Sequence, residues 1–180
     1  EVIGGVVGVI ATKANDVLSG LEEEVRGSFV RVFAELVHLE RERPPTRRRA
    51  AVSMFSSNQA ATKLIDALAG QECRVLVTSG TGQEVIVEVA HEQLFSAWPK
   101  LKGWIDKSGE ALRDIDHAEE EARRWQKGGD NPQELWLGSR AKKVLAALQR
   151  FGKSSSPELR RFLRPQEVLI AKLNHDELSH

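Results

Sequence analysis

Residues 73–104 read CRVLVTSGTGQEVIVEVAHEQLFSAWPKLKGW, and along this stretch a strand pattern gives way to a helix pattern. Two β-rich runs, Arg74–Thr78 and Glu84–Ala90, flank the tetrapeptide Ser79-Gly80-Thr81-Gly82. The glycines of the tetrapeptide can adopt the positive φ that a tight hairpin turn requires. Valine occupies alternate positions of the later run, so one of its faces is apolar. The stretch therefore predicts an antiparallel hairpin that turns at residues 79–82.

His91 lies where the later β-rich run ends and the helical pattern begins. A residue at such a junction lies at the edge of a packed domain, where it can contact a ligand. His91 is therefore the candidate binding residue of the stretch. The alternative interpretation is structural, with the ring bonded to nearby main-chain groups.

Two helices are predicted before the hairpin, from apolar residues spaced three and four apart. The stripe of the first helix, Gly4–Leu21, consists of Val6, Ile10, Ala14, Val17 and Leu21. The stripe of the second helix, Glu22–Leu39, consists of Val25, Phe29, Val32, Leu36 and Leu39.

A third helix is predicted from its cap Asn58 to about Ala69, with Gly70 closing it. Its predicted buried face consists of Ala61, Leu64, Ile65 and Leu68. Between the second and third helices, Pro44-Pro45 excludes helix from the arginine-rich loop at residues 40–49. With the hairpin, the order is helix, helix, extended loop, short turn, helix, hairpin. This is the order of a winged helix preceded by one extra helix.

After the hairpin every pattern is helical. Short helices are predicted at Glu92–Ala97 and Lys100–Asp106, because Pro99 separates them, and a longer helix at Ser108–Gly128. The predicted fold class is mostly α with a small β-hairpin. It comprises a winged-helix domain with an extra N-terminal helix at residues 1–106 and a helical extension at residues 107–180.

Two further start signals lie in the extension. Asn131-Pro132-Gln133-Glu134 combines a cap, a proline at the first helical position and an acid, and it predicts a helix to about Phe151. Ser156-Pro157-Glu158 opens the last helix in the same way, and Pro165 should kink or break that helix.

The composition excludes several classes of protein. Lys plus Arg and Asp plus Glu number 26 each, so no net field attracts nucleic acid or an anionic membrane. The single cysteine, Cys73, cannot form an internal disulfide, and a cytoplasmic location is expected. The chain opens with Glu1 rather than Met, so we expect a piece of a longer protein.

No catalytic motif is recognised, and we expect no enzyme activity. The sequence GTGQEV lacks the Lys-Ser/Thr ending of a phosphate loop and is interpreted as a hairpin turn. The histidines are too scattered to predict a zinc site, for which a single cysteine is also insufficient: His38, His91, His117, His175 and His180. The tryptophans lie at helical apolar positions that favour core packing over base stacking.

The arginine-rich loop leaves two interpretations open. Arg41, Arg43, Arg47, Arg48 and Arg49 can grip phosphate, as in a winged-helix DNA-binding module that also uses the hairpin. Alternatively they are solvated or pair with acidic neighbours. The helix in the recognition position offers few groups to base edges: Asn58, Gln59, Thr62 and Lys63.

Residues 87–125 also contain family motifs: the junction VEVAHEQL at Val87–Leu94, the element WPKLKGW at Trp98–Trp104, and a charged helix that ends at Trp125. This segment resembles the region after the ATPase core in bacterial novel STAND NTPases, which are signal-transduction ATPases related to apoptotic and plant-resistance ATPases. The resemblance extends backwards through Thr46–Arg49 to Gly4-Gly5 and forwards to Ser156–Leu159, almost the whole chain.

The resemblance implies a non-catalytic regulatory module that senses the nucleotide state of an adjacent ATPase core. In related switch ATPases a winged-helix histidine reaches the β-phosphate of ADP and holds the protein closed. His91 matches that histidine in type and placement, which implies an ADP phosphate contact in the full-length parent. A partly buried imidazole can donate such a hydrogen bond.

The ATPase core itself is missing from this chain. No cofactor or metal is therefore expected in the fragment, and ADP or ATP only in the parent. The implied partners are the ATPase core of the same polypeptide, neighbouring effector or repeat domains, and further copies of the parent in an oligomer. No membrane partner is expected, and nucleic acid belongs to the alternative function, the DNA-binding module.

Overall fold

The structure is a computed structural model that describes the main chain of residues 2–178 and the side chains of residues 5–171, except residues 83 and 169. The helices are α1 (Val2–Ser19), α2 (Glu23–Gly27), α3 (Phe29–Leu36), α4 (Gln59–Ala69), α5 (Leu94–Ala97), α6 (Pro99–Lys127), α7 (Gly138–Phe151) and α8 (Pro157–Leu178). The strands are β1 (Val37–His38), β2 (Thr46–Arg47), β3 (Ala50–Ala51), β4 (Leu76–Ser79) and β5 (Ile86–Val89). Short 3-10 helices lie at Val52–Phe55, Gly82–Glu84 and Pro132–Glu134. The fold is mostly α with a small β-hairpin, as predicted.

The chain divides into two compact units, Glu1–Gly109 and Glu110–His180. The first unit contains both small sheets, and the described part of the second is helical. None of the helices within residues 2–178 combines the length and apolarity that a bilayer crossing requires.

Strands β4 and β5 form the predicted antiparallel hairpin, and β3 pairs with the other edge of β5. Ser79 pairs with Ile86 at the end of the hairpin. The connection is therefore longer than the predicted turn at 79–82, because a 3-10 helix at Gly82–Glu84 lies within it. The predicted apolar face is confirmed at Val87 and Val89, which are both fully buried.

The hairpin packs on helices α3 and α4. Helix α4 begins as predicted, because the Asn58 Oδ1 accepts a hydrogen bond from the main-chain N–H of Ala61 at 3.0 Å. Its buried face also matches the prediction and consists of Ala61, Leu64, Ile65 and Leu68.

The predicted apolar stripe of the first helix was wrong except at Ala14. Among its described side chains, from residue 5 onward, α1 buries Val7, Ala11, Ala14 and Leu18. Val6 is 55% exposed instead. The sequence VIGGVVGVIA places apolar residues around most of the helix, so spacing alone does not identify the buried face.

The predicted helix Glu22–Leu39 is two helices, α2 and α3, and α3 ends at Leu36 rather than Leu39. Ser28 separates α2 from α3, and its Oγ donates to the carbonyl of Val25 at 2.7 Å, a local bond that competes with helix continuation. Val37 is extended and pairs with Arg47 in a two-stranded ribbon of β1 and β2. The predicted stripe is nevertheless buried throughout: Val25, Phe29, Val32, Leu36 and Leu39.

Trp98 is among the largest side chains in the core of the first unit and is fully buried. Its ring meets Phe29 and Phe33 edge to face, with centroid distances of 5.6 and 5.7 Å. Its indole N–H donates to Oδ1 of Asn15 at 2.8 Å. The residue before α6 is therefore tied to α1 by a satisfied buried polar group.

The helices predicted at Lys100–Asp106 and Ser108–Gly128 are one continuous helix, α6. Pro99 does separate α5 from α6, but it does so as the first residue of α6, where a missing N–H costs nothing. No proline interrupts the helix afterwards, and Ser108, the predicted start of the second helix, is buried within α6. The predicted end at Gly128 is confirmed to within one residue, since α6 ends at Lys127 and Gly129 has a φ of 100°.

The start signal at Asn131 produces a single turn. The Asn131 Oδ1 accepts a hydrogen bond from the N–H of Gln133 at 3.1 Å, but the 3-10 helix ends at Glu134. Helix α7 begins later, at Gly138, whose φ is 70° and whose N–H donates to Oε1 of the buried Gln166 at 2.6 Å. Tertiary contacts from α8 thus determine where α7 begins.

The start signal at Ser156 is confirmed, because its Oγ accepts from the N–H of Leu159 at 3.0 Å. Pro165 does not break the helix, and α8 continues to Leu178. Phe162 and Leu163, in the preceding turn, are 2% and 1% exposed. Their packing stabilises the helix despite the hydrogen bond that proline cannot donate.

Candidate functional site

His91 lies between a strand and a helix, as predicted, because β5 ends at Val89 and α5 begins at Leu94. The carbonyl of His91 accepts from the N–H of Leu94 at 3.0 Å. On the other side, the N–H of Ala90 donates to the carbonyl of Val75 at 2.8 Å. Main-chain hydrogen bonds therefore hold the histidine from both directions.

The side chain of His91 is exposed rather than partly buried. Among the residues whose side chains are described, none forms a hydrogen bond with the ring. The alternative interpretation, a ring bonded to local main-chain groups, finds no support in that part of the chain. Either ring nitrogen is therefore open to an external hydrogen-bond partner.

His91 borders an open cleft of about 340 Å³. The residues that line this cleft are Arg47, Ala90, His91, Glu92 and Gln93. Arg47 comes from β2, where its main-chain N–H donates to Oε1 of Glu92 at 3.1 Å. The ribbon of β1 and β2 thus brings a cation beside the histidine.

Two arginines share the carboxylate of Glu88, which lies on β5 with 15% of its side chain exposed. Arg49 Nε donates to Glu88 Oε2 at 3.1 Å. Arg47 Nε lies 4.0 Å from the same oxygen, and its Nη1 lies 3.5 Å from the carbonyl of Ala90. Arg49 is therefore the main partner of Glu88.

Other arginines of the loop also have partners within the chain. Arg43 Nη1 lies 2.9 Å from Oε2 of Glu40, and Arg48 Nη2 lies 2.8 Å from Nδ1 of His38. His38 Nε2 in turn lies 3.3 Å from Oε1 of Glu40. These contacts favour the interpretation that the arginines pair with neighbouring groups over the interpretation that they bind nucleic acid.

The helix in the recognition position offers still less to base edges than the sequence suggests. Asn58 uses its side-chain oxygen as a helix cap, and the hydroxyl of Thr62 lies 3.3 Å from the carbonyls of Phe55 and Asn58. Gln59 and Lys63 are exposed. Of the four predicted contacts, Gln59 and Lys63 thus remain, and two side chains are few for recognising base sequence in a DNA groove.

The other chemically active side chains do not assemble into a site. Within the described part of the chain, no three His, Cys, Asp or Glu residues are placed to hold a metal ion. His117 Nε2 lies 3.1 Å from Arg140, and the buried Cys73 Sγ lies 3.5 Å from the carbonyl of Leu68. The side chains of His175 and His180 lie outside the described residues.

Sequence reasoning identified His91 but did not place Arg47 beside it. Their proximity depends on the pairing of β1 with β2, which has only two residue pairs and no hydrophobic alternation. The extended backbone expected after Pro44-Pro45 was the one available signal for a strand at Thr46–Arg47.

Comparison with known protein families shows which family the chain matches. A family model described as Novel STAND NTPase 1 matches residues 1–133, a range that includes the hairpin, His91 and Arg47. No curated protein and no solved structure gives a significant match.

Proposed function

The chain belongs to the Novel STAND NTPase 1 family, and from that premise we propose that it is a non-catalytic switch module of a cytoplasmic STAND-type ATPase. The module senses the nucleotide bound to an adjacent ATPase core and docks on that core. The ATP or ADP belongs to the core, and this chain supplies a contact to it.

Within the module, residues 1–106 act as a winged-helix domain with an extra N-terminal helix, and residues 107–180 as a helical extension. The order of elements supports the winged helix. Helix α4 lies between β3 and the hairpin, and β3 pairs with β5 in a three-stranded antiparallel sheet.

The nucleotide contact is assigned to His91, and the carrying observation is its exposed ring beside an open cleft. An imidazole N–H can donate to a phosphate oxygen, and the bond is stronger when the ring is protonated. If this bond forms only in the closed, ADP-bound state, it stabilises that state selectively. Exchange to ATP or loss of the bond then releases the module, as in a two-state ligand switch.

The test is His91→Ala in the longer protein that contains the ATPase core. A charge-assisted hydrogen bond contributes about 1.5–3 kcal/mol, so ADP should dissociate roughly 10 to 150 times faster. Stopped-flow release of a fluorescent ADP analogue measures that rate. Gln93→Ala is the matched control, because Gln93 lines the same cleft without an imidazole.

The same substitution in the present chain should change the free energy of unfolding by less than about 0.5 kcal/mol, since the ring is exposed and unbonded. A clear fall in melting temperature would assign His91 a structural role. An ADP release rate that is unchanged in the longer protein would refute the nucleotide contact.

A further inference from the structure

Arg47 lines the His91 cleft, and its guanidinium makes only long contacts with neighbouring groups. Its two side-chain contacts, 3.5 Å to the carbonyl of Ala90 and 4.0 Å to Glu88, lie at the outer limit of hydrogen bonds and ion pairs. Glu88 Oε2 is already engaged by Arg49 at 3.1 Å. The guanidinium of Arg47 can therefore turn to another anion at little cost to the fold.

Arg47 and His91 reach the cleft from different elements. Arg47 is on β2 and has 42% of its side chain exposed, and His91 follows β5. Both main chains are fixed, since the N–H of Arg47 is bonded to Glu92 and the carbonyl of His91 to Leu94. A planar guanidinium can bind a phosphate through two parallel hydrogen bonds, and an imidazole can add a third.

We infer that Arg47 is a second phosphate-binding residue of this cleft, which takes the terminal phosphate of a nucleoside diphosphate between Arg47 and His91. That the phosphate belongs to a nucleotide rests on the proposed function. The two-donor phosphate site itself rests on the geometry of the cleft.

Glu92 places a negative charge in the same cleft. Its carboxylate also lines the cleft, and there it opposes an incoming anion. Glu92→Gln removes the charge but keeps an oxygen that can accept from the N–H of Arg47. Arg47 and Glu92 therefore have opposite effects on phosphate affinity, and that opposition distinguishes this site from a diffuse basic surface.

The test titrates the 180-residue chain with inorganic pyrophosphate and follows the His91 ring resonances by NMR. We expect millimolar binding that shifts the His91 ring. Arg47→Gln should raise Kd about two- to fivefold, as expected for a solvent-exposed charge pair. Glu92→Gln should lower Kd about twofold or more.

Two further variants serve as comparisons. Arg43→Gln removes the same charge from the same loop, outside the cleft, and should leave Kd unchanged. Arg47→Lys keeps the charge but loses the planar fork, and its Kd should lie between those of the parent chain and Arg47→Gln. Melting curves of each variant establish that it is folded.

Three results would overturn the inference. They are a His91 ring that does not respond to pyrophosphate at tens of millimolar, equal effects of Arg43→Gln and Arg47→Gln, and weaker binding by Glu92→Gln. The proposed function fails separately, through an unchanged ADP release rate of His91→Ala in the longer protein. Faster ADP release without pyrophosphate binding would leave the proposed function standing and refute the role of Arg47.

Discussion

Gly80 has a backbone conformation that residues with a side chain rarely adopt. Its φ is 99°, and a Cβ at this position would overlap the carbonyl oxygen of Glu84. Gly82, in the same connection, has a φ of 61° and no atom within 4 Å of an added Cβ. At Gly80, both the positive φ and the overlap with Glu84 disfavour a side chain, whereas at Gly82 the positive φ alone disfavours it.

We therefore expect Gly80→Ala to lower the free energy of unfolding by about 2–4 kcal/mol and Gly82→Ala by about 1 kcal/mol. Urea denaturation with circular dichroism measures both. Equal losses for the two variants would mean that the connection relaxes around the new methyl group and that the overlap with Glu84 has no consequence.

At the residue scale, part of the candidate site could be predicted from the sequence. His91 was located by a local rule, because the alternation of valines ends just before it and helical spacing begins just after it. Arg47 was not placed, because its position depends on a pairing between segments separated by a loop. Arg47 pairs weakly with Glu88 because Arg49 lies closer to the same carboxylate oxygen, and no sequence pattern predicts that arrangement.

At the scale of elements, patterns with a single physical interpretation were predicted well. Helix α4 has a cap, a clean stripe and a terminal glycine, and all three agree with the structure. The errors occurred where one residue type has two uses. Pro99 predicts a break between short helices, but it also begins a long one. Asn131 predicts the start of a long helix, but it caps a single turn, and α7 begins only at Gly138.

Helix α8 contains two prolines in contrasting positions. Pro157 is its first residue, where no N–H is needed, and Pro165 is in its interior, where the carbonyl of Arg161 loses its usual partner. Pro165→Ala should therefore raise the free energy of unfolding of the second unit, by about 1–3 kcal/mol.

Pro157→Ala is the control, and we expect a change within about 0.5 kcal/mol. Urea unfolding followed by tryptophan fluorescence compares the two variants. A loss of stability in Pro165→Ala would show that the packing of α8 depends on the proline ring.

At the scale of the whole molecule, the balance of charge determines whether the chain can bind nucleic acid. The chain contains 26 basic and 26 acidic residues, and Arg43 and Arg49 of the arginine-rich loop each have a close glutamate partner. Phosphate-backbone binding requires a surplus of uncommitted cations.

We therefore expect no micromolar binding of the chain to a generic DNA duplex at low salt, as measured by fluorescence anisotropy. Binding whose log K falls linearly with the logarithm of salt concentration would instead support the DNA-binding alternative. Arg43→Gln and Arg49→Gln would then show whether the arginine-rich loop makes the contact.

The distribution of tryptophans has a practical consequence. Trp98 and Trp104 belong to the first unit, Trp125 and Trp136 to the second, and three of the four are buried. Indole emission shifts to longer wavelength when water reaches the ring. Replacing either pair by phenylalanine leaves an optical signal that comes from one unit alone, and the chain then reports the melting of each half without a dye or a tag.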